Sequence, residues 1–224
     1  LGDADLATHL FRTQQLRRGK SLSEVTAAVA RAWGVRAVLL PMSNDPVRTV
    51  VHTEAGALPF QAYFVKGQGE GRVRKVELRG ISAAAPAPGV CAAIGGADLL
   101  ILPPSNPIVS IGPILALPGV RQALRETPAP VVAVSPLVAG KPIKGPADRL
   151  LSGLGVEVSA AGVAALYEDF LDTFVLDAQD TDQRARLRRQ GLTVITADTI
   201  MTDIDKSVAL ARIVVEQGRN KRRK

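Results

Sequence analysis

Apolar positions recur with a helical spacing at the start of the chain and again in its second half. Between the two lies a stretch with the two-residue alternation of strands. Asp5 to Arg18 reads as a helix closed by Gly19. Ser21 begins a second helix, with Glu24 three residues on completing a capping box. Leu22, Val25 and Val29 fall on one face of that helix, and Gly34 ends it. Val35 to Leu40 is an apolar run stopped by Pro41, which predicts a short strand.

Three further strands are predicted at Thr49 to Thr53, Phe60 to Val65 and Val73 to Leu78, with turns at Ala55-Gly56 and Gly67 to Gly71. The alternation in Val73-Arg74-Lys75-Val76-Glu77-Leu78 suits a half-exposed strand. Residues 49–79 are therefore expected to form an antiparallel β insertion.

After the insertion, helices and strands alternate. Helices are expected at Gly89 to Ile94, Val120 to Arg125, Pro146 to Leu154, Val163 to Phe170, Asp182 to Gln190 and Lys206 to Gln217. Strands are expected from Leu99, from Val131, at Thr173 to Leu176 and at Leu192 to Thr196. That rhythm predicts an α/β fold, a parallel sheet covered on both faces.

Two of the strand ends run into proline-pinned loops. Leu99-Leu100-Ile101-Leu102 leads to Pro103 through Pro113, and Val131-Val132-Ala133-Val134 leads to Ser135 through Pro146. Parallel sheets place ligands beyond the carboxyl ends of their strands. The first loop carries Ser105, Asn106, Ser110 and Gly112, whose hydroxyls and amides suit an anion; a rigid self-bonded turn uses the same residues. In the second, Lys141 and Lys144 flank Pro142, while Gly140 and Gly145 let the main chain approach a ligand. They either neutralise a diphosphate or are solvated surface lysines. Met42 to Thr49 follows the expected strand at Val35 to Leu40. It offers Asp45 for a metal or a ligand hydroxyl and Arg48 for bidentate phosphate binding, although Asn-Asp-Pro is also a common turn former. Asp5 and His9 are four residues apart on the first helix, with Asp3 close by; helix-start acids and a metal site both account for them.

Composition narrows the classes. The 224 residues are 46% hydrophobic and 22% charged, as in ordinary globular proteins. Aromatics at 4% leave few stacking faces for single-stranded nucleic acid. Cys91 is the sole cysteine, so no internal disulfide forms, which fits a reducing cytoplasm. No apolar run approaches the roughly 18 residues of a membrane span. The net charge is +7, but four charges sit in Lys221-Arg222-Arg223-Lys224, and +3 remains without them. A basic tail is thus expected at 219–224, with a modest positive field elsewhere that favours anionic substrates. P-loop, G-x-G-x-x-G, G-x-S-x-G and H-E-x-x-H motifs are absent from the sequence.

Four phrases occur in order: Leu1 to His9, Leu40-Pro41-Met42-Ser43-Asn44-Asp45-Pro46-Val47-Arg48-Thr49, Pro104 to Pro113, and Ser135 to Pro146. Together with Asp198-Thr199-Ile200-Met201 they resemble the 2-phospho-L-lactate transferase family (CofD, or FbiA) over essentially the whole chain. The resemblance implies a Rossmann-like, three-layer fold with a smaller insertion, usually in a homodimer. It implies transfer of a phosphorylated three-carbon acid, phospholactate or phosphoenolpyruvate, from a guanosine diphosphate-linked donor to the deazaflavin precursor Fo, in coenzyme F-420 biosynthesis. GMP is released and magnesium is required. Lys141, Lys144, Arg48 and the amides from Ser105 to Gly112 would neutralise the diphosphate. Asp45 would be the first candidate for a base, with Asp45 or Asp3 helping to hold magnesium. Lys144 is grouped with Asp45 as catalytic, and Met42, Ser43, Thr49, Ser135 and His9 complete the substrate-binding set.

The chain departs from the family pattern in places. The glycine-rich first turn and the Asn-Val-Gly-Asp-Asp-type phrase with which the family begins are not found, so an N-terminally truncated active site is expected. Ala4 stands where arginine is expected and Asn44 where an acid is common. The alternative reading is a nucleotide- or nucleotide-sugar-binding regulatory protein of related fold without transferase activity.

Overall fold

The computed structural model describes residues 2–219; the basic tail from residue 220 onward lies outside the described residues. Helices α1 (Asp3–Arg17) and α2 (Leu22–Ala32) open the chain. The capping box forms at α2: Glu24 N donates to Ser21 Oγ at 3.3 Å and Ser21 N donates to Glu24 Oε2 at 2.8 Å. Those bonds from Ser21 hold the Glu24 carboxyl below its ordinary range. Val25 and Ala30 turn inward. The strand expected at Val35 to Leu40 does not form. The segment has no strand partner among the described residues, and Val38 is 84% exposed. An apolar run becomes a strand only where a neighbour offers a free row of amides and carbonyls.

Strands β1 (Arg48–Thr53), β2 (Gly56–Pro59) and β3 (Val73–Arg79) make an antiparallel sheet in the order β2-β1-β3, with Val51 opposite both Leu58 and Val76. The strand expected at Phe60 to Val65 is instead a wide helical turn, Ala62–Lys66. Phe60, Tyr63 and Phe64 have the i, i+3, i+4 spacing of a helix face, not the two-residue period of a strand. Phe60 and Phe64 stack at 5.6 Å, and the fully buried Tyr63 donates its hydroxyl to Gly69 O at 2.7 Å. Val51, Tyr63 and Val73 pack on Leu150 of the helix described next as α6, which fastens this sheet to the rest of the molecule.

The second half runs α3 (Val90–Gly95), β4 (Leu100–Leu102), α4 (Gly112–Leu115), α5 (Val120–Glu126), β5 (Val131–Val134), a hairpin of β6 (Leu137–Val138) and β7 (Lys141–Pro142), and α6 (Ala147–Gly153). It continues with α7 (Ala160–Ala165), β8 (Thr173–Asp177), a 3-10 turn (Ala178–Gln183), α8 (Arg184–Arg189), β9 (Thr193–Ala197) and α9 (Ile204–Arg219). Strands β4, β5, β8 and β9 lie side by side in that order, all parallel, with Leu102 beside Ala133, Ala133 beside Phe174 and Phe174 beside Val194.

Successive residues of each strand face opposite helical layers. Val131, Ala133, Phe174, Leu176 and Val194 pack against Leu124 of α5, Leu151 of α6, Val163 of α7 and Leu187 of α8. Val132, Val134, Val175 and Ala197 pack against Leu210 and Val214 of α9. The fold is thus α/β with three layers and a separate antiparallel sheet. Further differences from the sequence expectation lie in the loops. A wide helical turn at Pro107–Ile111 followed by α4 occupies the loop after β4, and the loop after β5 folds into the β6–β7 hairpin. Pro146 stands just before α6 rather than within its first turn.

Candidate active site

The exits of β4, β5 and β9 converge on one cleft of about 210 Å³. Pro104 and Asn106 line it from β4, Ser135, Val138, Ile143 and Lys144 from β5, and Thr199 and Met201 from β9. This is the carboxyl end of the parallel sheet, where such folds bind ligands.

Each wall is held by local bonds. Asn106 Oδ1 accepts from Ile108 N at 2.9 Å and Val109 N at 3.2 Å, capping the helical turn that starts at Pro107. Ser135 is buried: its Oγ donates to Leu137 O at 3.0 Å and accepts from Leu137 N at 3.2 Å, turning the chain into the hairpin. The hairpin turn is Ala139-Gly140, both with positive φ (49° and 70°). Lys144 lies exposed on the cleft. Lys141 is also exposed, in β7, but does not line the cleft. The insertion buttresses the Lys144 loop. A Cβ on Gly145 would touch the Phe64 ring at 3.9 Å, and one on Gly69 would meet Pro146 Cβ at 3.1 Å. Gly69 O accepts from both Tyr63 and Arg149 (2.7 and 2.6 Å).

Behind the cleft lie two buried carboxylates. Asp177 ends β8, and its Oδ2 accepts from Thr199 N at 3.0 Å and Thr199 Oγ1 at 2.8 Å. Asp180 accepts from Ala139 N at 2.9 Å and Gly140 N at 3.2 Å. Burial raises the Asp180 carboxyl and its amide bonds only partly offset this. Burial also opposes the charge on Asp177, but there the Thr199 and Gln179 amides and the Thr199 hydroxyl outweigh it, and the carboxyl is lowered.

Sequence reasoning singled out Asn106, Ser135 and Lys144, and the structure brings these three together. It missed Thr199 as a lining residue and did not single out Asp177 or Asp180. The available signal was position: Thr199 follows a strand end just as Asn106 and Ser135 do.

The remaining expected residues lie elsewhere. Met42, Ser43, Asp45 and Arg48 line a second cleft of about 430 Å³ with Arg12 of α1; it shares no lining residue with the first. There the carboxylate of Asp45 has structural work: Oδ2 accepts from Ala85 N at 2.9 Å and from Ser43 Oγ at 3.5 Å. Ser43 is buried and also donates to Ala85 O at 2.6 Å. Asn44 accepts from Ser23 N and Ser23 Oγ at 2.8 and 2.9 Å and so ties this loop to α2. Thr49 lies in β1, opposite Leu78. Gly112 lines a third groove with Ile108, Arg121 and Tyr167, and Ser110 is exposed on the turn beside it. Asp3 and His9 are exposed on α1 and line none of these clefts. Among the described residues no three His, Cys, Asp or Glu side chains gather as metal ligands. Asp45 lines the second cleft and Asp3 does not.

Residues 1–216 match the family described as 2-phospho-L-lactate transferase CofD. The chain belongs to the CofD family. The 2-phospho-L-lactate transferase of Methanosarcina mazei is 44% identical over 216 residues, covering 96% of this chain and 71% of that protein. The phosphoenolpyruvate transferase of Streptomyces griseus is 43% identical over 221 residues, covering 96% of this chain and 70% of that protein. These CofD relatives, named for two different acids, are nearly equally similar. Among solved structures, a Bacillus halodurans protein described as a member of the UPF0052 family superposes with a TM-score of 0.63 at 15% identity, over 91% of this chain and 70% of its own. That likeness supports the CofD chain's α/β fold. No single described helix is long and apolar enough to cross a membrane.

Proposed function

We propose that this chain transfers a phosphorylated three-carbon acid from a guanosine diphosphate-linked donor to the terminal hydroxyl of the deazaflavin Fo. The observation that carries this reading is the cleft at the carboxyl ends of β4, β5 and β9, in a chain of a transferase family. The acceptor oxygen forms a bond to the phosphorus bearing the acid, the bond from that phosphorus to the GMP oxygen breaks, and the hydroxyl proton passes to solvent. Such a transfer needs charge neutralisation and in-line placement more than a covalent catalyst. Lys144 neutralises the donor diphosphate from within the cleft, and Lys141 adds positive charge from the same hairpin. Asn106 and Ser135 shape its other sides.

The base role expected of Asp45 is not carried into this reading, because its carboxylate holds the Ala85 amide in a different cleft. Arg48 lies in that second cleft as well. Magnesium dependence and a homodimer rest on the family resemblance alone. A magnesium titration of turnover and a sedimentation measurement test them. A reducing, cytoplasmic setting belongs to the same reading, on the single cysteine of the sequence.

The deciding experiment incubates the purified protein with Fo, magnesium and the donor, in phospholactate and phosphoenolpyruvate forms. GMP release with a matching mass gain on Fo is expected from at least one. No GMP from either overturns the reading.

A further inference from the structure

Two walls of the cleft are gripped by a single turn. The 3-10 turn Ala178–Gln183 carries Asp180, and Asp177 caps its start, three residues earlier; both side chains are about 2% exposed. Asp177 holds Thr199, a lining residue, through its main-chain N–H and its hydroxyl, and accepts from Gln179 N at 2.9 Å with its other oxygen. Asp180 divides its two oxygens between Ala139 N and Gly140 N, the turn of the hairpin that leads to Lys144. Gln183 Nε2 completes the set at 3.3 Å from Asp180, and its Oε1 accepts from Ala161 N at 3.0 Å, anchoring the turn on α7.

Two buried carboxylates cost the fold desolvation energy. A hairpin turn and a strand exit on the surface of a domain are ordinarily satisfied by water or short polar side chains. Ala139 is also held at φ 49°, a conformation disfavoured for a side-chain-bearing residue, and the Asp180 oxygen on its amide holds it there. These bonds tie the hairpin turn that leads to Lys144 and the Thr199 strand exit to one turn of the chain.

We propose that Asp177 and Asp180 are positioning residues that set, from one turn, the separation of the Lys144 and Thr199 walls for the donor diphosphate. This rests on the reading of that cleft as the donor site. Neither carboxylate touches the donor. The two act through Thr199 and through the hairpin.

The test compares wild type with D180N, T199V and T199S, measuring GDP affinity by calorimetry, KM for the donor, kcat, and thermal melting. An asparagine keeps one acceptor for two amides, and a valine removes the hydroxyl that Asp177 holds. D180N and T199V are expected to weaken GDP binding and raise donor KM by about tenfold, with kcat changed less than about threefold. T199S, which keeps the hydroxyl, is expected to stay within about twofold of wild type in both. If D180N fails to fold, the contrast between T199V and T199S decides. Folded D180N and T199V with wild-type GDP affinity and KM overturn the positioning role. A wild-type protein that neither binds GDP nor releases GMP overturns the donor-site reading instead.

Discussion

Gly153 of α6 lies so close to Val73 of β3 that a Cβ on the glycine would sit 2.4 Å from the Val73 carbonyl oxygen and 2.7 Å from its Cβ. The glycine has no positive φ, so the requirement is closeness alone. This contact presses the antiparallel sheet onto the helix that follows Lys144. Gly153→Ala must push β3 off α6, which costs about 1–3 kcal/mol as overpacking. Thermal unfolding is expected to shift down by several degrees, and an unchanged melting temperature would show that the two elements separate freely.

Lys144→Ala removes an exposed cation from the cleft and no buried contact. Its melting temperature is expected to stay within a degree or two of wild type, while kcat/KM for the donor drops by about a hundredfold. A rate equal to wild type removes Lys144 from the site.

Asp45→Asn separates two roles. A carboxylate that holds the Ala85 amide is worth about 1 kcal/mol, and asparagine retains an acceptor. Turnover within about threefold of wild type is therefore expected, with a small loss of stability. A loss of about a hundredfold or more would identify Asp45 as the base instead.

Arg121 clamps Asp169 with Nε to Oδ2 at 2.8 Å and Nη2 to Oδ1 at 2.6 Å, while its guanidinium lies 5.3 Å from the centre of the Phe170 ring. The Arg121 hydrogen bonds hold the Asp169 carboxyl below its ordinary range, against a smaller opposing effect of burial. The folded state therefore binds this proton more weakly than the unfolded chain. The resulting stability is complete above the unfolded pKa of about 3.9 and is lost as pH falls through the folded value. Because both partners are partly solvated, the pair contributes about 1 kcal/mol. Asp169→Asn is expected to lower stability by that amount at pH 7 and to flatten the acid limb of the unfolding curve below pH 4. Equal acid limbs in the two proteins would count against the bridge.

The four parallel strands were legible because each is a short apolar run between turn residues, and burial on both faces demands such a run. Asn106, Ser135 and Lys144 were legible as cleft residues because they lie in the loops into which such runs lead. The insertion was harder. Phe60, Tyr63 and Phe64 fit a strand by composition and a helical turn by spacing, and only the buried Tyr63 hydroxyl on Gly69 O separates the two. Val35 to Leu40 fits a strand by every local criterion yet has no strand partner among the described residues. Asp177 and Asp180 look like ordinary caps in sequence, and Asp177 does cap its turn. Their further partners, Thr199, Ala139 and Gly140, lie 22, 41 and 40 residues away.

Local chemistry alone therefore determined the periodicity of the helices and strands, the capping box at Ser21 and the family phrases that face the cleft. Tertiary structure decided which apolar runs found a hydrogen-bonding neighbour, that Asp45 and Lys144 belong to different clefts, and that one turn grips both the Thr199 loop and the Lys144 hairpin. The reason is physical. Side-chain spacing acts over a few residues, whereas strand pairing and the satisfaction of buried carboxylates depend on groups brought close only by the folded chain.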